Sequence, residues 1–107
     1  MADPLGQKEM AAVAAALRKA PKIQKAVLFG SRAKGSHSPG SDVDIALYGD
    51  VDAIEAESIR CELDELPFIH KFDVVAFKQV KNEALREHIE KEGVAVYERA
   101  EKIGVRF

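Results

Sequence analysis

The chain is poor in the residues that several kinds of site require. Its single cysteine, Cys61, excludes an intrachain disulfide and a thiolate metal centre. Lying in a helical pattern, Cys61 is expected to be a small packing residue rather than a reactive thiol. The three histidines, His37, His70 and His88, have no short metal-ligand spacing, so a zinc site built from them is not expected. Neither sign of charge is in strong excess. Sixteen Lys and Arg against 18 Asp and Glu leave a net charge of -2, which gives no overall attraction to a polyanion and disfavours a general nucleic-acid or membrane-surface binder. No apolar run approaches the roughly 18 residues that span a bilayer. The first residues also lack a charged segment followed by a continuous hydrophobic stretch, so retention in the cytosol is the expectation.

What remains is an ordinary globular composition, 47% hydrophobic and 32% charged over 107 residues. That length suits one small domain with a real core and little room for a second, substrate-binding one. Asp3 and Pro4 form a helix start, and Met10, Val13, Ala14 and Leu17 recur at helical spacing before Pro21. Lys25 to Phe29 reads as a buried strand running into a turn at Gly30. Arg32 to Ser41, rich in Gly, Ser and Pro, is at most one helical turn and otherwise loop. From Asp42 to Tyr48 the pattern alternates, which puts Val43, Ile45 and Leu47 on one side of a strand and Asp42, Asp44 and Ala46 on the other. Ala56, Ile59, Leu63 and Leu66 mark a second helix closed by Pro67, and Phe72 to Phe77 a third strand. Asn82 caps a third helix carrying Leu85 and Ile89, Gly93 suits a left-handed C-terminal position, and Val94 to Tyr97 forms a last strand. The order implies a small α/β (α+β) structure: a mixed sheet with helices packed mainly on one face and the other face partly open.

The chemistry concentrates in LFGSRAKGSHSPGSDVDIALYGD. Gly30 and Ser31 are followed, ten residues on, by Asp42-Val43-Asp44. Same-face residues on a strand are roughly 6.5 to 7 Å apart at Cα, so two aspartates can converge on one or two ions. Carboxylate, water and phosphate oxygens are the donors Mg²⁺ prefers, and an Asp-x-Asp pair with a nucleoside triphosphate would complete its shell. Without a cation the pair repels itself, which makes it a poor structural choice beside a core. Asp73, set between apolar strand residues, is a third candidate if its strand lies beside that of Asp42. It would then ligate metal or accept a proton from an attacking hydroxyl; the alternative is a charge paired with Lys71 or Lys78. Gly30 permits positive φ and close backbone approach, while Ser31 offers a hydroxyl and an N–H to phosphate. Arg32 and Lys34 add charge-assisted bonds to the same phosphates.

Two similar motifs fail. Gly30 and Gly35 have the glycine spacing of a P-loop, but Ser36-His37 stands where the lysine is required. The Asp42-x-Asp44 start of a calcium loop continues into Ala46 and Leu47, which lack the oxygen ligand and glycine of an EF-hand. His37 is read as a solvated loop residue.

These residues resemble the minimal nucleotidyltransferases of the DNA polymerase β superfamily, whose signature is Gly-Ser, ten residues, Asp-x-Asp and a later third acid on a strand. Gly30-Ser31, Asp42-Val43-Asp44 and Asp73 match it in order, and the ending EHIEKEGVAVYE is similar to that of many members. The resemblance implies one nucleotidyltransferase domain over residues 1–107. It also implies Mg²⁺, two ions in the superfamily's chemistry, with ATP or another nucleoside triphosphate as substrate. Asp42, Asp44 and Asp73 would be the catalytic and metal-binding acids, and Gly30, Ser31 and Arg32 would hold the triphosphate. The larger relatives that modify aminoglycosides carry an additional helical domain for the acceptor. Minimal members of the MntA-like kind pair with a helical HEPN-domain protein in toxin-antitoxin systems, and can transfer AMP to that partner. Adenylylation of such a partner is the implied activity. The alternatives are a catalytically weak module that neutralises its partner by occlusion, and transfer to a small molecule or an RNA end. Exposed strand edges also allow a homodimer.

Overall fold

The computed structural model describes residues 7–30, 42–67 and 71–99. The Asp3-Pro4 helix start and the whole stretch from Ser31 to Ser41 lie outside these. Among the described residues, helix α1 (Gln7–Arg18) is followed by strands β1 (Ile23–Phe29) and β2 (Val43–Gly49). Helix α2 (Ala53–Asp64), strand β3 (Phe72–Ala76), a 3-10 turn (Phe77–Gln79), helix α3 (Glu83–Glu92) and strand β4 (Val94–Glu98) complete the order.

The four strands form one mixed sheet in the order β3-β2-β1-β4. β1 runs antiparallel to both β2 and β4, whereas β2 and β3 are parallel. Parallel neighbours need a crossover, and α2 supplies it. The expected alternation along β2 is present: Val43, Ile45 and Leu47 are fully buried with Val13 and Leu17 of α1 and Ile59 and Leu63 of α2. This is the larger core, and its helices start and stop on local signals. Asp52 caps α2 by accepting from the Glu55 N–H at 2.9 Å, which satisfies one of the orphan donors of the first turn. Asp64, in the last turn, accepts from the Phe72 N–H at 3.1 Å and so ties the end of α2 to the start of β3.

Helix α3 lies on the opposite face. Ile89 is buried there with Val27, Phe29, Ala46 and Phe77, and Tyr48, Val75 and Leu85 pack against them. Two helices therefore cover one face, and the third covers part of the face that carries the acids. The helix begins where Asn82 accepts from the Leu85 N–H at 2.9 Å, the cap expected from sequence. Its placement is fixed from the preceding turn. The Arg86 guanidinium lies 4.3 Å from the Phe77 ring centroid and donates to the carbonyls of Phe77 and Val80 at 3.0 and 2.9 Å. Phe77 in turn stacks on Tyr48 at 4.3 Å.

Two expectations are corrected. Gly93 is extended, with φ -69 and ψ 154, not left-handed. Glycine is required there for space, because a Cβ would meet the side chain of Val27 and stand 2.5 Å from the Ile89 carbonyl oxygen. Cys61 is exposed on α2, not packed in the core. The core stripe of that helix runs through Ala56, Ile59 and Leu63, and Cys61 falls between its members.

Candidate active site

Extended backbone sends alternate side chains to opposite faces, so burying Val43, Ile45 and Leu47 against α1 and α2 directs Asp42 and Asp44 toward the α3 face. Asp42 stands just ahead of β2 and is exposed, while Asp44 is half-buried. β2 is an interior strand, and both neighbours contribute to the site. On the β3 side Asp44 is the register partner of Asp73. Paired residues on parallel strands point the same way, so Asp73 joins the face of the other two acids. Sequence periodicity leaves that adjacency conditional on strand order, and the β2–β3 pairing supplies it. The Val43 N–H, donating to the Lys71 carbonyl at 2.8 Å, secures the end of the ladder beside the acids.

On the β1 side Asp44 pairs with Phe29, and Gly30 follows. Gly30 has φ +83, and a Cβ there would overlap Asp44 Oδ2 and lie 3.3 Å from its Cγ. Both the left-handed conformation and the close approach to the carboxylate require glycine at this position. Ser31 and Arg32, the other expected triphosphate residues, lie outside the described residues.

The surroundings of Asp44 oppose its ionisation. The Asp44 pKa is raised above the ordinary carboxylate value, first by burial and then by the negative charges of Asp73 and Asp42, with His88 acting in the opposite direction. Lys78, one of the alternative partners considered for Asp73, pairs instead with Asp50 at 2.5 Å. Among the described residues no ion pair reaches Asp42, Asp44 or Asp73. Nor does any group of three or more His, Cys, Asp or Glu side chains among them stand ready to hold a metal. The three acids share a face, and Asp44 and Asp73 a register. A set of carboxylate oxygens that no described ion pair neutralises is chemically suited to a hard divalent ion.

Sequence reasoning missed His88. Its Nε2 accepts from the Gly30 N–H at 3.0 Å, its ring meets Phe29 edge-on at 6.2 Å and 77°, and its Nδ1 is 3.4 Å from Glu92 Oε1. A signal was available: Leu85, His88, Ile89 and Glu92 follow the i, i+3, i+4, i+7 spacing of one helix stripe, which places His88 beside buried Ile89.

A mixed sheet with an Asp-x-Asp strand flanked by a third acid and a glycine turn defines a nucleotidyltransferase fold. The family model "Polymerase beta, Nucleotidyltransferase" matches residues 12–102, and the chain belongs to that family. Solved structures share its fold. The chain is similar to one of a toxin-antitoxin with AMP-PNP, at 22% identity and a TM-score of 0.70 over 94% of this chain and 80% of that one. It is similar to the toxin-antitoxin MntA-HepT, at 20% identity and a TM-score of 0.68 over 94% and 79%. A third likeness is to a tri-AMPylated Shewanella oneidensis HEPN toxin in complex with MNT antitoxin, at 20% identity and a TM-score of 0.67 over 92% and 77%. No curated protein sequence matches the chain. Among the described residues no helix is long and apolar enough to cross a membrane.

Proposed function

We propose that this chain is a Mg²⁺-dependent nucleotidyltransferase that moves AMP from ATP to a HEPN-domain partner and so acts as the antitoxin of a two-component system. One observation carries the chemistry: β2 and β3 set Asp44 beside Asp73 in register, with Gly30 shaped to clear the Asp44 carboxylate. Asp42, Asp44 and Asp73 would hold Mg²⁺, and Gly30, Ser31 and Arg32 would receive the triphosphate. Bound Mg²⁺ would supply the positive charge that favours an ionised acceptor hydroxyl and offsets charge developing on the phosphate oxygens. In the transfer the acceptor oxygen bonds to the α-phosphorus, the α–β bridging bond breaks, and pyrophosphate leaves with its electron pair. The hydroxyl proton goes to Asp73 or to water. The partner assignment is supported by the solved toxin-antitoxin structures of the same fold.

The test is direct. Purified chain, Mg-ATP and the helical protein encoded beside it should give an adduct of AMP mass on that protein. No adduct from a demonstrably formed complex would sink the assignment. An Asp42→Asn/Asp44→Asn double variant should still bind the partner and transfer nothing; undiminished neutralisation by it would mean occlusion alone. Label from ATP appearing on RNA or a small molecule would move the acceptor.

A further inference from the structure

We propose that His88 is a positioning residue for the nucleotide: its Nε2 holds the Gly30 amide and thereby sets the turn that receives the triphosphate. The role rests on the nucleotidyl-transfer reading above.

The argument starts at the edge of the sheet. β4 begins at Val94, opposite Leu28 of β1, and the chain before it is Gly93 and α3. Beyond Leu28, β1 therefore borders a helix on that side rather than a strand. The Gly30 N–H emerges there without a ladder carbonyl, and a buried or half-buried amide left unpaired costs stability. His88 supplies the acceptor from a residue 58 positions away in sequence.

The bond also orders the imidazole. Its other nitrogen, Nδ1, lies 3.4 Å from Glu92 Oε1 one helical turn on. Phe29 packs against the ring edge-on. Among the described residues the ring thus meets an aromatic side chain on β1, the first amide after β1 and a carboxylate on its own helix.

Two consequences follow for binding. The Gly30 amide is committed to His88, so Gly30 contributes direction rather than a hydrogen bond to phosphate. Its positive φ and its clearance of Asp44 are the features that direction must preserve. Phe29, the residue in register with Asp44, is held by the same ring, so His88 braces both the turn and the strand end beside the acids.

The experiment compares wild type, His88→Phe and His88→Gln as full chains. Phenylalanine keeps an aromatic ring and removes the acceptor, whereas glutamine restores an acceptor oxygen. In nucleotide-free protein, Gly30 amide exchange should accelerate about tenfold in His88→Phe and return toward wild type in His88→Gln. Mg-ATP affinity, read by calorimetry, should fall about five- to tenfold in His88→Phe and recover in His88→Gln. In the transfer assay the KM for ATP should rise more than kcat falls. Unchanged Gly30 exchange overturns the proposal, and so does faster exchange with wild-type ATP affinity, which would leave His88 a purely structural bond. Wild type that binds no Mg-ATP would instead overturn the nucleotidyl-transfer reading itself, and the positioning role with it.

Discussion

Replacing Asp44 by asparagine should make the metal-free protein more stable at neutral pH while abolishing transfer. Paired strands are about 4.8 Å apart, and two unit charges at that distance repel by about 0.9 kcal/mol in water and about 3.5 kcal/mol at an effective dielectric of about 20. Asp73 and Asp42 are exposed and Asp44 only half-buried, so solvent screening favours the lower end, near 1 kcal/mol. A gain of that size raises the melting temperature of a domain this small by about 4 °C. The pH dependence has a definite sign. The native-state pKa of Asp44 is raised from 3.8, so between 3.8 and that higher value the native state keeps a proton the unfolded chain has lost. Wild-type stability then falls as pH rises through that window, and the advantage of the variant disappears below about pH 3.8, where both states are protonated. Calorimetric melts in chelator at low salt, followed from acid to neutral pH, measure both effects. An Asp44→Asn protein no more stable than wild type at neutral pH, or one whose advantage survives in acid, would refute the claim that burial and the neighbouring acids disfavour the Asp44 charge. Saturating Mg-ATP should reverse the order by stabilising only the wild type, by about 2.7 kcal/mol at one hundred times Kd.

Gly30→Ala should cost about 1 to 2 kcal/mol from the left-handed conformation alone, and should abolish transfer because the new methyl displaces the Asp44 carboxylate; urea melts and the AMP-transfer assay read the two losses. Gly93→Ala should destabilise by about 1 to 3 kcal/mol through contact with Val27 and the Ile89 carbonyl, not through φ, and a melt within error of wild type would show that α3 shifts freely at its end. Asn82→Ala should cost about 1 kcal/mol, with faster amide exchange at Leu85, the donor of the lost cap bond.

The β2 strand and its acids were legible because alternation is a local property: seven consecutive residues reveal which side chains share a face. Asn82 was legible for the same reason, since a cap is read within one helical turn. Strand order is not local. That Asp73 belongs with Asp44 depended on β3 pairing with β2, and no residue within β3 states which neighbour it will take. Helix α3 was found in sequence but not its face, because a short amphipathic stripe is equally satisfied on either side of a sheet. The same gap hid His88, whose partner lies 58 residues away. Gly93 shows a different failure. Glycine after a helix fits a left-handed end by local rules, yet here a tertiary approach to Val27 and the Ile89 carbonyl explains it.

Fold and site meet in the register of β2. A slip of one residue would turn Val43, Ile45 and Leu47, each fully buried, out of the larger core and drive Asp42 and Asp44 into it. The opposite face is exposed at position 42, half-buried at 44 and buried under α3 at 46, so the slip forfeits about 2 to 5 kcal/mol at 1.5 to 3 kcal/mol per fully exposed side chain, a large share of the stability of a small domain, before any charge is buried. The apolar residues alone therefore hold the register. The acids are free to be chosen for chemistry, and an asparagine at position 44 leaves the strand where it is. The burial and the neighbouring charges that raise the Asp44 pKa are thus borne by a scaffold able to carry them.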